Sequence, residues 1–127
     1  MAREGRSHVR KRKKGCLVGC LTNLLLVLGV AALEHDDYFA WARHANEMAD
    51  IIRAGMERAG IPFFQRTTTN QIFAVLTEEQ NAALALDFAY ERWATLDDGR
   101  VAVRFVTSWA TTAEDCEKLV SALEAVA

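Results

Sequence analysis

The run Val101–Val106, VAVRFV, constrains this chain more than any other stretch. Val101, Ala102, Val103, Phe105 and Val106 are apolar at both odd and even positions. A strand sends alternate side chains to opposite faces, so a run apolar on both belongs inside a sheet whose two faces are covered. Arg104 interrupts it. A lone buried guanidinium is costly unless an anion meets it, so such a strand aims its arginine at something. Three destinations are open: a ligand anion, a neighbouring acid such as Asp97 or Glu91, or solvent reached from an edge strand.

The remaining patterning supplies the partners of that strand. Asp97-Asp98-Gly99-Arg100 is a hairpin turn signal between a strand over Arg92–Leu96 and the strand over Val101–Thr107. Asn70–Leu76, NQIFAVL, is a further strand. Tyr38, Trp41, Ala45, Met48, Ile52, Met56 and Ala59 recur with a period near 3.6, which predicts an amphipathic helix capped by Asp36 or Asp37. Gly60 and Pro62 end it. Thr77 with Gln80 forms a capping-box pattern opening a helix through about Ala89. Thr111 or Thr112 caps a last helix through about Ala125, whose core stripe is Leu119, Val120 and Leu123. Glu114, Asp115 and Glu117 sit where the helix dipole favours acids. The expected fold is α+β: a three-stranded sheet with covering helices, preceded by an apolar helix.

Charge is unevenly shared. Residues 1–14 hold seven basic residues and one acid, +6 against a chain total of −2, so residues 15–127 carry −8. An acidic body argues against nucleic-acid binding by the folded part. The basic run reads as a solvated, disordered tail. Gly15–Leu33 follows without a charge, a pattern that fits a membrane segment with its basic side in the cytoplasm, at the lower limit of length. Cys16, Cys20 and Cys116 form no disulfide framework and no zinc site. His35, Asp36, Asp37 and His44 read as cap and surface residues, not metal ligands. Trp109 is read as core, with the mouth of a substrate site as the alternative.

Three stretches carry a family resemblance: Ala42–Phe63 (ARHANEMADIIRAGMERAGIPF), Thr69-Asn70 followed by QIFAVL, and VAVRFVTSWATT. Together they resemble the C-terminal part of low-specificity L-threonine aldolases, in the β-eliminating lyase group of fold-type I pyridoxal-phosphate enzymes. The resemblance runs over roughly residues 35–126. It implies a cytoplasmic, oligomeric enzyme of amino-acid metabolism that cleaves β-hydroxy-α-amino acids to glycine and an aldehyde. It further implies that the small C-terminal domain closes over the active site. The arginine at the position of Arg104 would hold the substrate carboxylate. Thr107 and Ser108 could bond cofactor or substrate, although a strand-to-helix turn explains them equally.

The departures from that family are as informative. The lysines are Lys11, Lys13, Lys14 and Lys118, none a credible Schiff-base residue. The expectation is a domain, residues 35–127, that binds no pyridoxal 5'-phosphate covalently by itself and holds no catalytic or metal-binding residue. Residues 1–14 form the tail. Residues 15–34 form an apolar helix or an aberrant N-terminal segment. A truncated or frame-disrupted gene is the preferred origin of residues 1–34. The alternatives are a true membrane anchor on a small α+β binding protein, and a helix covering the exposed sheet.

Overall fold

The computed structural model describes the backbone of residues 15–34 and 36–127, and the side chains of that set except 15–23 and 32. The basic tail, His35 and the side chains of Cys16 and Cys20 lie outside the described residues. Contacts divide the chain into two units, residues 1–37 and 38–127.

The described part of the first unit holds helix α1 (Gly15–Glu34), matching the uncharged segment. Leu24, Leu25, Leu26, Val27 and Leu28 are all exposed, as are Val30 and Leu33. Five consecutive residues point in every direction around a helix, so α1 presents apolar surface on all sides. Among the described residues no helix is long and apolar enough to cross a membrane.

The second unit is an antiparallel sheet with helices on one face. Helix α2 (Asp37–Ala59) buries Ala45, Ile52 and Met56 of the expected stripe, and Ala49 and Gly55 beside them. Tyr38 and Trp41, in its first turns, stay exposed. Gly60 ends the helix with φ +70°, a conformation glycine adopts at no steric cost. The Ile61 amide then donates to the Met56 carbonyl at 2.9 Å.

Four strands and two helices follow. Strand β1 (Phe63–Gln65) precedes β2 (Gln71–Leu76), and helix α3 (Glu78–Leu84) precedes β3 (Glu91–Thr95). Strand β4 (Val101–Val106) and helix α4 (Ala113–Val126) complete the chain. The sheet order is β1-β2-β4-β3, so the arginine-bearing strand is central and not an edge. Ile72, Ala74 and Leu76 of β2 and Val101, Val103 and Phe105 of β4 pack against Ile52, Met56, Leu84, Cys116, Leu119 and Leu123. The alternate positions form the other face. There Phe73 pairs with Arg104, Val75 with Ala102 and Gln71 with Val106. Phe73, Val75 and Ala102 are buried there too, which is why the run is apolar at both parities.

The helix starts expected at Thr77 and at Thr111 or Thr112 are realised, the latter at Thr112. Thr77 and Gln80 exchange the two bonds of a capping box. Thr112 accepts from the Asp115 amide at 3.2 Å. The turn signal is also realised: Gly99 has φ +83° and the Leu96 amide donates to Arg100 at 2.8 Å.

Three expectations are corrected. The sheet has four strands, not three, because β1 adds an edge beside β2 with the Val75 amide donating to the Pro62 carbonyl at 2.8 Å. Helix α3 stops at Leu84 instead of reaching Ala89. The chain turns there so that Phe88 and Tyr90 can pack on the core, with Tyr90 edge-on to Phe105. Trp109 is not core: it is 68% exposed, in the turn after β4.

Candidate functional site

Arg104 lies on the sheet face opposite the helices, its backbone bonded to a strand on each side. Its side chain is 27% exposed. Nη2 donates to the Glu91 carboxylate, and Nη1 reaches Gln71 Oε1 at 3.4 Å. The guanidinium carbon stands 5.0 Å from the Trp93 ring centre, a cation–π distance. Trp93 in turn meets Phe73 edge-on, with ring centres 5.2 Å apart. Nε is buried and has no hydrogen-bond partner among the described residues. Of the three destinations the sequence left open, the structure gives Arg104 an acid, Glu91. Asp97 is not its partner, and the central position of β4 removes the edge-strand route.

A bulge builds this arrangement. Arg92 pairs with Val103 while Ala94 pairs with Ala102, so Trp93 is the extra residue. The shift sets Glu91, and not Arg92, opposite Arg104. Arg92 instead pairs with Glu78. Glu91 was one of the acids considered from sequence, but Trp93 and Gln71 were not.

Beyond Arg104 the chain is held by a knot of polar contacts. The Thr107 hydroxyl, buried, donates to the Ala45 carbonyl at 2.6 Å. The Asn70 side-chain amide donates to the Thr107 carbonyl at 2.8 Å, and the Thr107 amide returns a bond to Asn70. Ser108 and Thr111 close the turn, the Ser108 amide donating to Thr111 Oγ1 at 2.9 Å. His44 Nε2 lies 2.8 Å from the Thr111 carbonyl, and since a carbonyl only accepts, that nitrogen carries the proton. His44 is therefore tied to the turn, half-buried, instead of being purely a surface residue. The hydroxyl of Thr107 is spent on this structure.

Two grooves border the end of β4, sharing Val106 and Thr107. One, of about 440 Å³, is lined by Tyr38, Trp41, Asn46, Asn70, Ser108 and Trp109. Its rings Trp41 and Trp109 have centres 6.4 Å apart. The other, of about 430 Å³, includes Asp87, Phe88, Asp115, Cys116 and Lys118. Arg104 lines neither. Burial, then the charges of Asp115 and Glu117, push the Cys116 thiol up, which keeps it a packed thiol and not a nucleophile. No group of three metal-ligating side chains occurs among the described residues.

Among the described residues none fits as the anchor of covalently bound pyridoxal phosphate. Lys118 is the only lysine beyond residue 14. Its side chain is 60% exposed and its ammonium pairs with Glu114 at 2.8 Å. A Schiff-base lysine is kept neutral by desolvation or neighbouring cations, and Lys118 has neither.

No protein-family model matches the chain, and no curated protein matches it significantly. Among solved structures, the threonine aldolase of Leishmania major is similar at 38% identity with a TM-score of 0.63. The match covers 66% of this chain and 25% of that one. The chain thus spans about a quarter of the structure it matches, and the resemblance read from its motifs is borne out.

Proposed function

We propose that residues 38–127 serve as a substrate-closing domain of a threonine aldolase-type lyase, in which Arg104 holds the α-carboxylate of a β-hydroxy-α-amino acid. The carrying observation is Arg104 itself: a guanidinium fixed on a central strand, one quarter exposed, beside an exposed indole. A planar fork of donors fits a carboxylate with two parallel bonds, and a lysine does not reproduce it. The likeness to threonine aldolase supports the substrate class. Pyridoxal phosphate would supply the electron sink for cleavage to glycine and an aldehyde. Its lysine would come from outside residues 38–127, whose task is binding and orientation.

The test is complementation. The chain is mixed with a large-domain fragment of a threonine aldolase and glycine release from L-threonine is followed. Release is expected, with KM raised about tenfold or more by Arg104→Lys through loss of charged hydrogen bonds. No release with the native chain, or release indifferent to Arg104→Lys, would refute the assignment.

A second reading concerns α1. Its seven large apolar side chains from Leu24 to Leu33 are exposed, and the sequence before it carries +6. Apolar surface beside basic charge suits an anionic membrane. Carbonate extraction of membranes from expressing cells tests this: retention in the pellet supports attachment, and release into the supernatant removes it.

A further inference from the structure

The geometry points to Glu91 as an internal competitor for the anion site of Arg104. This inference rests on the Arg104 reading above and adds the residue that sets its affinity. Three observations carry it. Glu91 meets the guanidinium through Oε2 on Nη2 alone, so the pair lacks the two parallel bonds of the strongest carboxylate–arginine geometry. Gln71 contributes only a 3.4 Å contact on Nη1. Nε, buried beside them, has no acceptor. A buried donor left unmet costs about 1–3 kcal/mol, so the guanidinium is held but not satisfied.

The two partners also differ in freedom. Arg104 is on a central strand, its ring contact with Trp93 restricting it further. Glu91 is on the edge strand, next to the bulge, with a side chain 52% exposed. Glu91 can swing into water at little cost, whereas Arg104 cannot leave. An arriving carboxylate that takes the Nε–Nη2 edge makes two bonds where Glu91 makes one, and supplies the acceptor that Nε lacks. Glu91 then returns when the anion departs. It keeps the cation paired between ligands and weakens every carboxylate by the same competition.

The experiment titrates the full chain with sodium acetate and follows the Trp93 indole N–H and the Arg104 Nε–H by nuclear magnetic resonance. Acetate has no ammonium that Glu91 could attract, so only competition is read. Glu91→Gln is expected to bind acetate about two- to fivefold more tightly, the range for a half-exposed ion pair. Glu91→Ala is expected to do the same, and Arg104→Gln to lose the response at Trp93. Equal or weaker binding in both Glu91 variants, with Arg104→Gln still abolishing it, would overturn the competitor role and spare the Arg104 reading. Binding unchanged by Arg104→Gln would overturn the Arg104 reading itself.

Discussion

Gly55 offers the sharpest test of the packing. It lies buried in α2, facing Val120 of α4. A Cβ built on Gly55 would stand 2.3 Å and 2.6 Å from the two Val120 methyls and 2.9 Å from Val120 Cβ. Turning the valine does not relieve this. Its χ1 is strongly restricted in a helix, and its own Cβ stays too close. The helices must therefore separate by about 1 Å to restore ordinary contact, an overpacking cost of about 1–3 kcal/mol. Alanine recovers about 1 kcal/mol of helix propensity. Gly55→Ala is expected to lose up to about 2 kcal/mol net, a fall of up to roughly 15 °C in Tm for a unit of this size. Urea unfolding followed by far-ultraviolet circular dichroism measures it. Adding Val120→Ala removes the opposing methyls, so the double variant should cost less than the sum of the singles, with coupling of about 1 kcal/mol. A Gly55→Ala protein more stable than its parent would refute the reasoning, since an unopposed helix glycine behaves that way.

Other outcomes follow from the same contacts. Thr107→Val keeps the shape but leaves the Ala45 carbonyl without its 2.6 Å donor, and should cost about 1–3 kcal/mol in urea unfolding, with Thr107→Ser nearly neutral. Thr77→Ala removes the acceptor of the α3 capping box and should lower stability by about 1 kcal/mol in the same assay. Asp115 is held below the ordinary carboxylate range by the Thr112 hydroxyl, with Lys118 adding a smaller attraction. A depressed folded pKa gives stability that is complete above the unfolded value and is lost as pH falls through the folded one. Melting scans below about pH 4 should therefore show a shallower acid loss for Asp115→Asn than for the native chain, and identical slopes would refute the assignment.

Local signals in the sequence were read correctly where the chemistry is local. Thr77 and Gln80, Thr112, Gly60 and Gly99 each act through neighbours a few residues away, and each sits where its pattern placed it. The apolar run of β4 likewise announced a central strand, although Val106, on the face away from the helices, is exposed. What escaped depended on distant partners. Strand β1 is three residues behind a proline, and β2 alone makes it a strand. Trp109 had the composition of a core residue, but its turn is pinned by Ser108 and Thr111 and leaves it outside. Counting back from the Asp98-Gly99 turn in a regular hairpin would set Arg92 against Arg104. Only the bulge at Trp93 brings Glu91 there, and nothing in the residue types announces a bulge. The candidate site was thus legible as one residue, Arg104, and not as the cluster around it.

Trp41, Trp93 and Trp109 are the chain's three tryptophans, and they are 46%, 47% and 68% exposed. Indole emission reports the polarity around the ring, so the native spectrum is expected to lie toward that of tryptophan in water. Intrinsic fluorescence will follow unfolding poorly. The same property makes a blue shift on mixing with a partner a direct optical signal that one of these rings has been covered.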